Sequence, residues 1–154
     1  MRYRRLGPAS VSEVSFGAWV LGGMYGRVDK AEARALVKKA LDLGVNLFDA
    51  ADVYGAGAAE RALGELLEGW DVYVTTKVGY DFYGGGRPRR RYDEAYLSQA
   101  LRMSVERLGR RPLAVLMHNP TAEDVRRSYK AFAGLAEAHA DMAGVALGPE
   151  LDVL

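Results

Sequence analysis

Asp49, Tyr54, Lys77 and His118 are residues of the types that, held together, move a proton between a protein and a bound oxygen. A tyrosine hydroxyl with its ordinary pKa near ~10 is a poor acid partner at neutral pH, and an ammonium beside it favours the phenolate and lowers that value. Lys77 is the candidate ammonium. Asp49 is the candidate counter-ion that a lysine pushed between strand ends requires. The His118 imidazole is left to donate to a substrate oxygen and fix its orientation. Each residue alone has a plainer role: a turn or cap residue at Asp49, a solvated side chain at Lys77, a structural histidine before Asn119-Pro120, a core aromatic with a wet hydroxyl at Tyr54. Their chemistry depends on what brings them to one place.

The residue pattern predicts the elements that would do so. Runs rich in Val, Phe and Tyr read as strands at Val14–Ala18, Val45–Asp49, Val72–Val78, Leu113–His118 and Ala143–Leu147, several apolar nearly throughout, as in strands covered on both faces. Asp29 and Glu32 form a capping pair for a helix whose Ala33, Leu36, Val37, Ala40 and Leu41 share one face and which stops at Gly44. A second helix is expected from Ala59 to Gly69. A third runs from Asp93 to Leu108, with Leu97, Ala100, Leu101, Val105 and Leu108 on one face and Gly109 behind it. Thr121 with Asp124 reads as the cap of a short turn, and Tyr129 to His139 as an Ala-rich helix with a poor apolar stripe. A hairpin, Arg2–Leu6 and Val11–Val14 turned at Gly7-Pro8-Ala9-Ser10, precedes the first strand. The alternation is that of βα units around a parallel sheet, an α/β fold. Asp49, Tyr54, Lys77 and His118 all fall at or just past the carboxyl ends of its second, third and fourth strands, the face on which barrel active sites form.

The strand ends Gly17, Asp49, Lys77, His118 and Ala146 are 32, 28, 41 and 28 residues apart, the size of a βαβ repeat. Eight units of that mean size need roughly 258 residues, close to the ~250 of a closed (β/α)8 barrel. The chain holds about five. The expectation is a partial (β/α)8 TIM barrel of about five parallel strands with an N-terminal hairpin, one truncated domain over residues 1–154 with two open sheet edges.

Composition narrows the function. Lys and Arg number 21 against 20 Asp and Glu, a net charge of +1, so no overall field recruits nucleic acid or an anionic membrane. The lack of cysteine excludes a disulfide framework, a thiolate metal site and a cysteine nucleophile. His118 and His139 are the only histidines and no ligand spacing surrounds them, so no metal site is expected. No apolar run approaches the ~20 residues that cross a bilayer, and no signal-peptide core follows the N-terminus, so the expected location is cytoplasmic with no membrane contact. The stretch from Gly84 to Arg91 reads as a long solvated loop over the mouth of the site. Without aromatic residues between its arginines, it is not expected to bind RNA. Gly55-Ala56-Gly57 opens like a dinucleotide fingerprint, but Glu60 stands where its third glycine belongs.

The chain also resembles a known family, the aldo-keto reductases. The likeness rests on Arg2-Tyr3-Arg4-Arg5-Leu6-Gly7, on Leu43-Gly44-Val45-Asn46-Leu47-Phe48-Asp49-Ala50-Ala51-Asp52-Val53-Tyr54-Gly55 with Glu60 beyond, on Thr75-Thr76-Lys77-Val78-Gly79, on Ser104-Val105-Glu106-Arg107-Leu108-Gly109 and on Leu116-Met117-His118-Asn119-Pro120. It runs from residue 1 to about residue 148 and covers the first five of the family's eight barrel units. The resemblance implies NADPH-dependent reduction of a small-molecule carbonyl substrate, an aldehyde or ketone. Tyr54 would be the general acid/base, Asp49 and Lys77 would tune it, and His118 would orient the carbonyl. By the same likeness Gly17, Ala18 and Asp49 contact the NADP cofactor, and Trp19, Tyr54 and His118 the substrate. Two positions depart from the family pattern. Ala59 replaces a serine, removing a helix cap worth ~1 kcal/mol, and Gly144-Val145-Ala146-Leu147 replaces a stretch whose Ser and Asn hold the nicotinamide carboxamide. The family's pyrophosphate- and adenosine-binding stretches belong to its seventh and eighth units. The alternative expectation is a non-catalytic part-barrel that self-associates through its open sheet edges or pairs with a complementary piece.

Overall fold

The computed structural model describes residues 1–23, 26 and 28–148. It begins with a hairpin of β1 (Tyr3–Leu6) and β2 (Ala9–Ser12), antiparallel, with Leu6 opposite Ala9. The turn is therefore Gly7-Pro8 alone, two residues rather than the four expected, and β2 starts earlier than Val11. Gly7 has a φ of 56°, the left-handed conformation such a short loop needs.

Five strands then form one parallel sheet: β3 (Phe16–Gly17), β4 (Leu47–Asp49), β5 (Tyr73–Val78), β8 (Ala114–His118) and β9 (Met142–Ala146). Each pairs with its neighbour in chain order, β3-β4-β5-β8-β9. The first strand is shorter than Val14–Ala18. Ala18 already starts a 3-10 turn that runs to Gly22, and among the described residues β3 has only β4 to pair with. The last strand sits one residue earlier than Ala143–Leu147.

Helices α1 (Lys30–Asp42), α2 (Ala58–Leu66), α3 (Glu94–Leu108) and α4 (Ala122–Glu137) make the connections. Asp29 and Asp93 cap α1 and α3 by accepting from the amides of Glu32 and Tyr96, and Gly109 ends α3 in the left-handed conformation. Ala59 is not a lost cap. The N-cap of α2 is Gly57, at φ 84°, and Ala59 lies inside the helix, fully buried. The short turn expected at Thr121 is the start of α4, which is continuous and opens with a full capping box between Thr121 and Asp124. Its buried stripe is Ser128, Phe132 and Ala136 at i, i+4 and i+8, too small and polar to stand out as apolar.

Strand parity sorts the sheet. Phe48, Val74, Val115 and Met117 pack outward on the helices, against Leu63 of α2 and its C-cap Leu67, Leu97 and Leu101 of α3 and Phe132 of α4. The opposite face is closed at its amino-terminal end by the hairpin: Ala9 and Val11 pack with Leu47, Tyr73, Leu113 and Met142. Asn46 fastens it there, accepting from the Ser12 amide at 2.7 Å and donating to the Ser10 carbonyl at 3.0 Å. One end of the sheet is thus plugged, and the carboxyl ends of the strands are left to carry chemistry. Beyond β5 a small antiparallel hairpin, β6 (Tyr80–Asp81) with β7 (Arg89–Arg90), carries the stretch from Gly84 to Arg91, expected to be loop throughout, as its tip and returning strand. No helix among the described residues is long and apolar enough to cross a membrane.

Candidate active site

Asp49 and Lys77 end adjacent strands on the same sheet face, and their side chains meet. Lys77 Nζ donates to Asp49 Oδ2 at 2.5 Å and to the Ala50 carbonyl at 2.8 Å. Thr75, two residues before Lys77 and so on its face, donates to the other Asp49 oxygen at 2.9 Å. Strand parity could have identified this threonine in advance. With both carboxylate oxygens engaged and the ammonium held from two sides, the pair is fixed in direction as well as in charge.

Tyr54 comes from the turns between β4 and α2. The chain stays on β5 past the strand, with the Asp52 amide donating to the Lys77 carbonyl at 2.9 Å. It then turns through Gly55, Ala56 and Gly57, all at positive φ. The 3-10 turn presses on it: a Cβ on Gly22 would stand 2.8 Å from the Tyr54 carbonyl carbon, and one on Gly55 2.5 Å from the Gly22 oxygen. Only glycine permits this backbone contact. The Lys77 ammonium lies 5.4 Å from the Tyr54 ring centroid. Contrary to the expectation that Lys77 lowers it, the Tyr54 phenol is pushed up to about 12, first by burial and then by the Asp49 carboxylate.

His118 ends β8 and presents its ring to two tyrosines edge-on, Tyr54 at 5.8 Å and Tyr80 at 5.1 Å between centroids. Burial, then the Lys77 charge, push its pKa down to about 4, so the imidazole is neutral. Its Nδ1 is enclosed and, among the described residues, has no hydrogen-bond partner. The Tyr92 hydroxyl holds the His118 carbonyl at 2.6 Å. Tyr80 was not singled out from sequence; an aromatic residue just past the strand that carries Lys77 was the available signal.

A second polar cluster lies on the helix side of β5. Glu60, fully buried, accepts from Thr76 Oγ1 and from Arg107 Nε, each at 2.6 Å. Asp52 is equally buried, and among the described residues neither of its oxygens completes a hydrogen bond. Burial and the Glu60 charge push its pKa well up, while Arg107 and the backbone amides of Val53 and Gly79, outside hydrogen-bonding geometry, act in the opposite sense. Asp52 is thus shifted toward its neutral form, by burial first.

Gly17 pairs with Asp49 across the β3–β4 register, and among the described residues no atom lies within 4 Å of where its Cβ would stand. That open backbone beside the Lys77–Asp49 pair fits the flat ring of a nicotinamide. Ala18, expected to contact the cofactor, has no accessible surface on either side chain or main chain. β9 offers no polar side chain for that ring's carboxamide, so the fit is to the ring face and not to this substituent. Trp19 is 41% exposed with its ring 4.8 Å from that of Tyr54, a position that can line a substrate path. Among the described residues no group of three His, Asp or Glu side chains is gathered as a metal site.

The Aldo/keto reductase family model matches residues 13–143. A rice protein (Oryza sativa subsp. japonica) named "Probable voltage-gated potassium channel subunit beta" is 40% identical over 116 residues, 70% of this chain and 34% of the relative. An Arabidopsis thaliana protein of the same name is 35% identical over 131 residues, 79% of this chain and 38% of its own. The chain thus spans little more than a third of the length of these curated relatives. The holo form of the aldo-keto reductase AKR11C1 from Bacillus halodurans superposes with a TM-score of 0.82 at 30% identity, covering 96% of this chain and 50% of that one. The five-stranded parallel sheet therefore matches part of an aldo-keto reductase barrel.

Proposed function

The chain belongs to the aldo/keto reductase family, and from that premise we propose that it serves the NADPH-dependent reduction of an aldehyde or ketone to an alcohol. The observation that carries this reading is the convergence of Tyr54, Lys77, Asp49 and His118 at one end of the sheet, beside the open backbone of Gly17. NADPH, when bound, supplies the hydride. Tyr54, with its pKa raised to about 12, stays protonated at neutral pH and gives its proton to the carbonyl oxygen as the alcohol forms. Lys77, held over the ring by Asp49 and Ala50, stabilises the phenolate left behind. His118 is neutral, and the tautomer protonated on Nε2 leaves its enclosed Nδ1 as a bare acceptor and a donor for the substrate oxygen. Tyr54→Phe is expected to lower carbonyl-dependent NADPH oxidation by about 10²- to 10⁴-fold with circular dichroism and Tm unchanged. Unchanged turnover would remove Tyr54 as the acid. Fluorescence titration showing no saturation at millimolar NADPH would overturn reduction by this chain.

A second reading is supported by β9, a terminal strand of the sheet among the described residues, with sequence Met-Ala-Gly-Val-Ala, which carries no charge or proline to discourage further pairing. On this reading the chain is a part-barrel that associates through that edge, with a second copy or with a complementary piece, and the candidate site is inherited rather than used.

A further inference from the structure

The reduction chemistry leaves one feature unused, the arm between β5 and α3. Pairing of Tyr80 with Arg90 and of Asp81 with Arg89 gives the arm a defined base. That base is tied to the carboxyl end of β8, through the Tyr80 ring edge-on to His118 and through Arg90 Nη1, 3.5 Å from the Asn119 carbonyl. The arm therefore stands beside the candidate site, and it encloses a recess of about 520 Å³.

The charge of this recess is one-sided. Its single acidic lining residue, Asp81, is already paired with Arg91 at 3.0 Å, and Arg91 also holds Asp93 at 2.6 Å. Arg87 and Arg89 also line it, and neither has a carboxylate partner among the described residues. The remaining wall is Arg90 with Gly84, Gly85 and Gly86, and at these glycines an added Cβ would meet no atom within 4 Å. Gly85 and Gly86 hold φ values of 70° and 99°, so main chain rather than side chain borders the opening. Guanidinium groups without partners beside accessible backbone amides are the donors that bind carboxylates and phosphates. In a chain of net charge +1, this excess is local.

We propose that the recess binds the anionic end of the carbonyl substrate, a carboxylate or phosphate held by Arg87 and Arg89, so that acidic aldehydes and ketones are preferred over neutral ones of similar size. The identity of the ligand as a substrate rests on the carbonyl-reduction reading; the anion site does not. The test therefore has two arms. In the first, inorganic phosphate is titrated into the chain at constant ionic strength, and the amide resonances of Gly84–Gly86 are followed by NMR. Saturable shifts are expected in the wild type and should be lost in Arg87→Ala/Arg89→Ala, with unchanged Tm as the folding control. Absent shifts, or shifts that survive in the double variant, overturn the site. In the second arm, 4-carboxybenzaldehyde and 4-methylbenzaldehyde compete with phosphate and serve as substrates. The charged aldehyde alone is expected to displace phosphate, and its kcat/KM advantage should fall at least tenfold in the double variant. Equal displacement by both aldehydes, or an advantage that survives the double variant, overturns the substrate assignment. Selective displacement without turnover of either aldehyde overturns the reduction reading and leaves the anion site standing.

Discussion

His118 shows how far one residue's surroundings determine what it can do. Burial and the neighbouring Lys77 ammonium bring its pKa to about 4 from an ordinary 6.5. The folded chain therefore resists protonation that the unfolded chain accepts. Between pH 6.5 and 4 the unfolded state binds more protons, so stability is retained above 6.5 and lost as pH falls through that window. The loss expected by pH 4 is on the order of 2–3 kcal/mol. Thermal melts across that range should show the slope, and His118→Asn should flatten it; an unchanged slope in the variant would show that other groups carry it. The residue types were legible in the sequence, including the pairing of Asp49 with Lys77. The direction of the Tyr54 shift was not, because it depends on depth of burial and on the closeness of the Asp49 carboxylate, quantities set by packing rather than by residue identity. Asp52 and Glu60 escaped for the same reason. On a linear chain a carboxylate gives no sign that a helix will cover it.

The turns that carry Tyr54 act as one element with the 3-10 turn after β3. Their contact is backbone on backbone, so Gly22→Ala must move either the Tyr54 main chain or the Ala18–Gly22 turn, its Cβ falling 2.8 Å from a carbonyl carbon. A displacement approaching 1 Å at the phenol is expected to cost about 10- to 100-fold in kcat, with KM for NADPH less affected. Gly134→Ala, on an exposed stretch of α4 where a Cβ meets nothing, is the contrasting case and should raise stability by up to ~1 kcal/mol. Steady-state kinetics beside melting curves separate the two; equal kcat in both variants would show that the contact does not position Tyr54. At this scale the sequence was a good guide where caps and periodicity are strong, as in α1 and α3. It failed on α4, whose buried stripe runs through Ser128, and on the arm after β5, whose pairing strands are only two residues long.

For the whole molecule the question is what becomes of the sheet edge at β9. Sedimentation velocity over a range of concentrations, combined with hydrogen exchange, should show assemblies in which the β9 amides are protected, if that strand pairs further. A monomer at every concentration with fast exchange along β9 would exclude self-association there. The count of parallel strands and their order could be read from the repeat spacing, because a βα unit has a nearly fixed length. What the hairpin does could not, since its contacts with Leu47, Tyr73, Leu113 and Met142 join residues far apart in sequence. The sheet order β3-β4-β5-β8-β9 has one more consequence. No strand inserts between two that precede it, so a chain leaving the ribosome can add each βα unit to a finished edge without reopening earlier pairings, and synthesis and folding can advance in the same direction.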